Sequence, residues 1–369
     1  MSARHPKNSI AFRVDASLEM GTGHLIRCLT LAHQLDQAGW NCQFISRDLP
    51  GNLIAKVQDA GFTVFTLPPP QHAPQPAAGD TPHAAWLGVS QTADAAETRP
   101  ILKAMEPAWL VVDHYALDHR WERSVLPKDT RLFVIDDLAD RPHDADVLLD
   151  QNYGRQQSDY ARLVPSDCTL LIGPTYALLR PEFAARRAES LKRRQTGKLE
   201  NLLVAMGGVD RENVTKAVLK SLEKSARKQI SVTVVLGAKA PWVDDVTAYA
   251  AGMGIPTKVV RDVADIASLM IDADVAIGGA GTSTWERCCL GLPTIIVTMA
   301  ENQQNAALAL KSAGASIDLG TLQNCDFDSD IPESLKKLST PANLLKMSRN
   351  CAKLVDGQGT SRCIEHFAL

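Results

Sequence analysis

The chain has 369 residues, of which 45% are hydrophobic and 22% are charged, with a formal net charge of -3. This length exceeds what one hydrophobic core usually serves, so we expect two domains. The near-neutral charge gives no support for a nucleic-acid or membrane-surface partner, and no apolar run approaches the roughly 20 residues that span a bilayer.

The start of the chain and its cysteines bear on the compartment and on metals. MSARHPKNSIAFRVDAS lacks the apolar segment of a secretory signal, and the eight cysteines are scattered without a C-x-x-C pair. We therefore expect reduced thiols, no metal site, no cofactor and a cytoplasmic protein. The sequence leaves the oligomeric state open, and a monomer is compatible with it.

In the first half of the chain, short β-rich runs alternate with helical patterns. The predicted strands are IAFRVDA, CQFIS, FTVFTL, WLVVDH, RLFVIDD and DVLLD, with helices in LIRCLTLAHQLDQAG and NLIAKVQDAG. The stretch PPPQHAPQPAAGDTPH (68–83) is rich in proline and small residues, which predicts a mobile loop or lid.

The second half repeats the alternation with strands NLLVAM, SVTVVLG, TKVV, DVAIGG and PTIIVT. Between the halves, the basic segment ARRAESLKRRQTGK (185–198) is predicted as a solvated helix face or linker. The pattern predicts an α/β chain of two Rossmann-like domains facing a cleft, at 1–190 and 198–369, whose last helix can pack back on the first domain. Ligands of such sheets lie beyond the carboxyl ends of the strands.

The first strand runs into a G-T-G-H-x-x-R motif at the start of a helix. Gly21 and Gly23 allow a tight turn and close approach of a ligand, and the helix start favours a phosphate or polar sugar. His24 lies at that start, with Arg27 one turn later. A bare G-x-G is a weak signal and a single histidine here is more often structural, so the local pattern leaves both roles of His24 open.

The segment DVAIGGAGTSTWERCCLGLPTIIVTMAENQQ is the most specific in the chain. A strand enters a glycine-rich turn, and hydroxyl residues then open a helix that can be capped, can hold a diphosphate, or both. A glutamate on the first turns suits two vicinal ribose hydroxyls, and a later Asn-Gln pair returns to the same rim. The alternative is a capped, buried helix without a ligand. The residues predicted to bind a nucleotide are Gly279, Ala280, Gly281, Thr282, Ser283, Thr284, Glu286, Asn302 and Gln303.

Two further loops follow strands of the second half. Gly207 and Gly208 form a second glycine turn beside the phosphates or sugar, and Val263 can frame a base through backbone groups.

Acidic residues and histidines of the first half permit weaker readings. Asp136, Asp137 and Asp140, with Asp144 and Asp146 nearby, invite a metal site, but neighbouring residues of an extended segment point to opposite faces, so turn capping is the better interpretation. His114 and His143 are candidates for sugar contacts.

Taken together, these motifs resemble the glycosyltransferase-B architecture. They are most similar to the hydrolase family that acts on UDP-2,4-diacetamido-2,4,6-trideoxy-β-L-altropyranose in pseudaminic acid biosynthesis. The resemblance covers nearly the whole chain, through FRVDASLEMGTGHLIRCLTLA, VVDHYALD, VIDDLADRPHDADVLLDQNY, GPTYALLRPEF, VAMGGVD and GGAGTSTWERCCLGLPTIIVTMAENQ. The proline-rich insert 68–83 departs from it.

The resemblance implies roles that the local patterns leave open. His24 is then the base that activates water, and Glu286 and Asn302 hold UDP together with the Gly279–Thr284 loop. Tyr115 faces the sugar, while Asp15 and Arg27 support the site or contact substrate. The implied reaction releases UDP and the free sugar with inversion.

Three rivals share the expected nucleotide site. A transferase would release little free sugar until an acceptor is added. A hydrolysing UDP-sugar 2-epimerase would need acidic groups near C2 of the sugar. A UDP-sugar sensor would bind without turnover.

Overall fold

The computed structural model describes residues 8–72, 79–225, 229–237 and 240–367. The chain divides by packing into a first unit, Met1–Leu178 with Thr360–Leu369, and a second unit, Leu179–Gly359. The sequence predicted a boundary between residues 190 and 198. Of the proline-rich insert 68–83, residues 73–78 lie outside the described part, and the prediction of a lid there stays a prediction.

The first unit is built on a seven-stranded parallel sheet of order β3-β2-β1-β4-β5-β6-β7. Its strands are β1 (Ser9–Val14), β2 (Asn41–Arg47), β3 (Thr63–Leu67), β4 (Trp109–Asp113), β5 (Arg131–Ile135), β6 (Val147–Asp150) and β7 (Thr169–Ile172). Its helices are α1 (Gly23–Gln37), α2 (Ile54–Asp59), α3 (Gln91–Met105) and α4 (His119–Val125), with 3-10 turns at Ala84–Leu87, Gln157–Tyr160 and Pro174–Tyr176.

The second unit is built on a six-stranded parallel sheet of order β10-β9-β8-β11-β12-β13. Its strands are β8 (Asn201–Ala205), β9 (Ser231–Leu236), β10 (Thr257–Arg261), β11 (Val275–Gly279), β12 (Thr294–Thr298) and β13 (Ser316–Thr321). Its helices are α5 (Pro181–Arg194), α6 (Val214–Lys224), α7 (Val243–Ala251), α8 (Ile266–Asp272), α9 (Ser283–Cys289), α10 (Gln304–Ser312), α11 (Phe327–Lys337) and α12 (Pro341–Leu354), with a 3-10 turn at Glu301–Gln303. The chain closes with α13 (Gly359–Ile364) and a 3-10 turn at Glu365–Phe367.

Strand β1 shows why these runs form central strands. Ile10, Phe12 and Val14 pack into the core cluster on one face of the sheet, while Ala11 packs into the cluster on the other. Since helices cover both faces, the strand is buried along its whole length. The α/β class and the two Rossmann-like units predicted from the sequence are confirmed.

Each sheet reverses its strand order at one place, between β1 and β4 in the first unit and between β8 and β11 in the second. Loops that leave the carboxyl ends of these strands diverge to opposite faces and open a crevice that ligands commonly occupy. The sequence motifs around His24 and Gly279 follow β1 and β11. The strand order therefore places both motifs at ligand-binding positions of their own sheets.

Most of the segment 185–198 forms α5, and Lys192 and Lys198 are exposed as the prediction of a solvated helix face expects. The prediction is wrong for Arg187 and Arg194, which bind main-chain carbonyls. Arg194 is 7% exposed and donates to the carbonyl oxygens of Met270, Ala273 and Leu290 at 2.7, 2.7 and 2.9 Å. Arg187 likewise donates to Cys289 and Ala352. Burial lowers the pKa of Arg194 to about 9. These guanidinium groups satisfy carbonyls that helices α8, α9 and α12 leave open at their ends.

Replacing Arg194 by alanine is expected to lower the free energy of unfolding by about 3 kcal/mol, because buried carbonyls lose their donors. Urea denaturation measures the change. Lys198→Ala is the control: Lys198 is 64% exposed, and its loss should stay within about 0.5 kcal/mol. Equal effects of the two substitutions would contradict the structural role of Arg194.

Candidate active site

The strongest polar cluster of the first unit forms around His24, at the start of α1. Its Nδ1 lies 2.6 Å from Oδ1 of Asp113, the last residue of β4. Strands β1 and β4 pair with Val14 opposite Asp113, so this carboxylate lies beside the loop that carries His24. His24 is 7% exposed and Asp113 is fully buried. The sheet register thus brings together two residues that are far apart in sequence.

Arg27 joins the cluster from the next turn of α1. Its Nε and Nη2 donate to the two carboxylate oxygens of Asp113, each at 2.7 Å, and its Nη1 lies 2.7 Å from Oδ2 of Asp137. Burial alone would raise the pKa of Asp113, but Arg27 and His24 outweigh it and hold that pKa well below its usual range. Asp113 is therefore a carboxylate across the physiological range.

The charge of Asp113 decides the tautomer of His24. A carboxylate accepts hydrogen bonds only, so Nδ1 of His24 donates to it and carries the proton. In the neutral ring Nε2 is then a free acceptor, and no described residue forms a hydrogen bond with it. A histidine oriented by a buried carboxylate in this way is the arrangement that general bases use.

Tyr115 and Asp137 complete this group. The Tyr115 hydroxyl donates to Oδ2 of Asp137 at 2.6 Å, and the Tyr115 ring packs edge-on against His24 with centroids 4.5 Å apart. Asn152 donates to the other oxygen of Asp137 at 2.8 Å. His24 and Tyr115, predicted separately as site residues, are thus in contact, and Asp137 reaches the same cluster.

Asp136 points the other way, as expected for neighbouring residues of an extended segment. It binds Arg141 at 2.8 Å and the Tyr160 hydroxyl at 2.9 Å. Among the described residues, no group of three or more His, Cys, Asp or Glu side chains is placed to hold a metal ion.

Asp15, His114 and His143 are buried among protein groups. Asp15 binds Arg13 and the Arg47 amide, each at 2.7 Å, and its Oδ2 lies 3.3 Å from His114 Nε2. His143 Nδ1 lies 2.6 Å from Glu122. Since both histidines are at most 2% exposed, the interpretation that they contact a sugar is wrong. Asp15 was predicted either to support the site or to contact substrate, and its buried contacts match the supporting role.

The glycine turn after β1 takes the form that its residues predict. Gly21 has φ +78°, a conformation that a side chain would strain, and Gly23 is the first residue of α1. The turn closes through reciprocal backbone hydrogen bonds between Ser17 and Gly21. The chain can therefore reverse directly after β1 and present His24 at the sheet edge.

In the second unit, Arg287 organises the loop after β11. Its Nη2 donates to the Gly279 carbonyl at 2.6 Å and to the Thr284 hydroxyl at 3.0 Å, and its Nη1 donates to the Ser283 hydroxyl at 3.3 Å. Arg287 is 1% exposed, so these bonds form inside the protein. They fix the path of the loop from Gly279 to Ser283.

The Thr284 hydroxyl is engaged inside the protein, and the binding of a nucleotide by the Gly279–Thr284 loop stays a prediction. Thr284 is 2% exposed, and its hydroxyl is taken by Arg287 and by the Gly279 carbonyl. Gly281, Thr282 and Ser283 are only partly buried, whereas Ala280 is 6% exposed.

Other loops meet this one at the carboxyl edge of the sheet. The Gln303 side chain accepts from the Met299 amide at 3.1 Å, and a Cβ added to Gly279 or Gly281 would approach the Gln303 amide group to 3.9 or 3.7 Å. Asn302 lies beside Gln303 and is partly buried. The predicted rim and the glycine loop are thus neighbours.

The turns after β8 and β10 also have the predicted form. Gly207 has φ +110°, and Gly207 and Gly208 are exposed. A side chain at Gly237 would meet the Gly208 carbonyl at 2.0 Å, so glycine is needed where these loops pass. Val263 follows Asp262, whose φ of 45° turns the chain after β10.

Glu286 lies on the first turns of α9 with 18% of its side chain exposed. Burial raises its pKa to about 6, against the nearby charges of Arg180 and Arg287. Arg180 Nη2 is 3.9 Å from Glu286 Oε1. Glu286 is thus a carboxylate at neutral pH that retains capacity to accept hydrogen bonds.

Sequence reasoning missed two residues that shape these sites. Asp113 was quoted only as part of a motif, although an acidic residue ending a central strand at the strand-order reversal is a usable signal. Arg287 carries no such signal, because a basic residue on a helix normally predicts a solvated face.

Comparison with known proteins identifies the fold. Residues 201–359 match the Glycosyltransferase family 28 C-terminal domain. The structure superposes on MurG of Acinetobacter baumannii with a TM-score of 0.68 at 14% identity, covering 98% of this chain and 99% of that one. The chain therefore has the glycosyltransferase-B fold.

Among curated relatives, the chain is similar to the UDP-2,4-diacetamido-2,4,6-trideoxy-beta-L-altropyranose hydrolase of Campylobacter jejuni. The identity is 24% over 84% of this chain and 98% of that protein. This chain is also 25% identical to an uncharacterized protein of Methanocaldococcus jannaschii. The match covers 80% of this chain but only 56% of that protein. The resemblance inferred from the motifs is confirmed.

Across the described residues, no helix has both the length and the apolar character needed to cross a membrane.

Proposed function

We propose that this chain hydrolyses UDP-2,4-diacetamido-2,4,6-trideoxy-β-L-altropyranose, without a metal ion, to UDP and the free sugar in the cytoplasm. The observation that carries the proposal is the pairing of His24 Nδ1 with the buried Asp113 carboxylate, which leaves Nε2 as an acceptor. The similarity to the Campylobacter jejuni hydrolase supports the choice of substrate. The second unit holds UDP and the first unit supplies the base.

The reaction is a single displacement at the anomeric carbon. Water gives a proton to His24 Nε2 while its oxygen attacks the anomeric carbon from the face opposite to UDP. The bond between that carbon and the β-phosphate oxygen breaks, and UDP leaves with the electron pair. One displacement inverts the anomeric centre.

The cluster around His24 assists the proton transfer in two ways. Asp113 holds the ring in the tautomer with a free Nε2 and faces the positive charge that forms on the imidazole. Arg27 fixes Asp113 through two hydrogen bonds, so the carboxylate does not turn away from the ring. A positioned base of this kind typically contributes on the order of 10²–10⁴-fold.

The leaving group needs less help, because UDP is stable once released. In the proposed complex, the amides of the Gly279–Ser283 loop face the diphosphate and take up its developing charge. Glu286 accepts from the ribose hydroxyls, and Asn302 lies at the same rim. Arg287 supports this loop from inside the protein, and Gln303 lies beside Gly279 and Gly281.

Incubation of the purified protein with a panel of UDP-diacetamido sugars, with EDTA and without an acceptor, tests the proposal. Anomeric protons followed by NMR should show an inverted free sugar appearing with UDP. A product altered at C2 would favour the 2-epimerase, and binding without turnover would favour the sensor.

A transferase is the second candidate, because residues 201–359, which include the loop proposed to bind UDP, match the Glycosyltransferase family 28 C-terminal domain. Free sugar that appears only at a trace rate until an acceptor is added would favour this reading over hydrolysis.

The raised pKa of Glu286 predicts that UDP-sugar binding depends on pH. A pKa of about 6 means that the carboxylate is ionised above pH 6 and protonated below it. We expect the Kd of a UDP-sugar to rise roughly tenfold between pH 7 and pH 5, as the ionised fraction falls. Calorimetric titration in the His24→Phe background, where turnover is strongly reduced, is the measurement, and a UDP-sugar suits it because its doubly esterified diphosphate keeps a constant charge.

Glu286→Gln should bind weakly at both pH values and lose most of this dependence. The exposed Glu333, whose side chain is 63% exposed, provides the control Glu333→Gln, which should keep the wild-type profile. An unchanged slope in Glu286→Gln would assign the pH effect to another group.

A further inference from the structure

An aromatic group lies beside the proposed base. Two of its members, His83 and Trp86, stand at the end of the proline-rich insert 68–83 and just after it. The Trp86 ring stacks on the Tyr115 ring, with centroids 5.6 Å apart and an interplanar angle of 26°. His83 lies 4.4 Å from Trp86 and 5.4 Å from Tyr115, measured between ring centroids. Tyr115 is the residue whose ring also touches His24. We define His83, Trp86 and Tyr115 as the aromatic wall.

The segment that carries the wall is anchored to the protein. Leu87 is 1% exposed and packs into the core on one side of the sheet. Gly88 has φ +75°, and a Cβ there would meet Pro70 Cγ at 2.4 Å, so the backbone lies directly against Pro70. The wall is therefore part of the folded first unit.

Trp86 and His83 keep part of their surface free. Both are half-buried, whereas Tyr115 is 4% exposed. Burial lowers the pKa of His83, although Asp140 opposes the shift. The His83 ring is thus neutral near pH 7 and, with the indole, presents mainly apolar surface.

The distance to His24 gives this surface a role. In the proposed reaction, one water molecule lies between the anomeric carbon and His24 Nε2. The distance from the carbon to the nitrogen is then roughly 3 Å plus the length of a second contact. A pyranose ring bound at that position has about the same length as the distances between the ring centroids of the aromatic wall. Through Tyr115, the ring centroids of Trp86 and His83 lie within about 10 Å of the His24 centroid, a distance that a sugar with its substituents can span.

Resting on the proposed function, we propose that Trp86 and His83 are specificity-determining residues that recognise the deoxygenated, methyl-bearing edge of the sugar. Apolar surface placed on an aromatic ring is favourable. A hydroxymethyl group at the same place would lose water without gaining a hydrogen-bond partner. The wall thus favours a 6-deoxy sugar over its 6-hydroxy counterpart.

The test compares kcat/KM for the 6-deoxy UDP-diacetamido sugar and for its 6-hydroxy counterpart. Trp86→Ala should lower kcat/KM roughly tenfold for the 6-deoxy substrate and less than about threefold for the other. Trp86→Phe should recover most of the loss, and the Kd of UDP alone should not change. An equal fall for both substrates would assign Trp86 to support of Tyr115 and overturn the proposal.

Trp40→Ala is the matched control. Trp40 packs against the same unit's core just before β2, at the opposite edge of the sheet, so its loss should leave the preference between substrates intact. If the wild type releases no sugar from any substrate, the hydrolase proposal fails. The Kd values of the two UDP-sugars relative to UDP then test whether the aromatic wall recognises the sugar. If Trp86→Ala changes both Kd values equally, the proposal is overturned.

Discussion

Replacing His24 by phenylalanine is expected to lower kcat by about 10²–10⁴-fold while UDP-sugar binding stays within about threefold. Phenylalanine keeps a ring of similar size against Tyr115, so the packing of the site survives. It has no nitrogen at the position of Nε2, and the attacking water loses its proton acceptor. Single-turnover release of UDP measures the chemical step, and titration of the UDP-sugar measures binding.

His33→Phe provides the matched control on the same helix. His33 is exposed and its ring packs near Phe62 with centroids 4.9 Å apart, so its substitution should leave kcat unchanged. Near-normal turnover in His24→Phe would remove the proposed mechanism, whatever the substrate. Loss of UDP-sugar binding in the same variant would instead assign His24 to recognition.

The two glycine motifs could be placed from the sequence because each follows a strand and opens a helix. That order of elements is local, and in a parallel sheet it sends the loop to the carboxyl edge. His24 and Glu286 were found in this way. The fold class followed from the same alternation, since a chain of strands and helices in turn has few stable arrangements.

The helices and strands that went unpredicted have physical reasons. Helix α3 contains Pro100 and helix α11 contains Pro332, and proline lowers the expectation of a helix. Strand β7 has only four residues, Thr169–Ile172, and strand β13 carries Asp318 and Gly320 between its apolar residues. A short run or an interrupted one gives the local pattern little to detect.

The partners of His24 needed the register of the sheet. Nothing in the sequence says that β1 pairs with β4 so that Asp113 falls beside α1. Once that pairing is known, Asp137 can be assigned to the same cluster, because Arg27 bridges Asp113 and Asp137. Arg287 and Arg194 went unrecognised for a related reason: the carbonyls that they bind come from turns whose positions only the fold defines.

Asp113→Asn is expected to lower kcat on the order of 10²–10³-fold with little change in UDP-sugar affinity. The amide of asparagine can donate to His24 Nδ1, which moves the ring proton to Nε2 and blocks the acceptor that water needs. The substitution also removes the negative charge that faces the imidazolium and Arg27. Single-turnover kinetics with the UDP-sugar measure the loss.

Asp137→Asn separates the two causes. Asp137 binds Arg27 and Tyr115 but makes no hydrogen bond with His24, so the variant loses one partner of Arg27 and keeps the tautomer of the base. Its kcat should fall far less, by roughly tenfold at most. If kcat falls equally in Asp113→Asn and Asp137→Asn, the charge around Arg27 controls the rate. If only Asp113→Asn is impaired while its thermal stability matches that of Asp137→Asn, the orientation and protonation of the base control it.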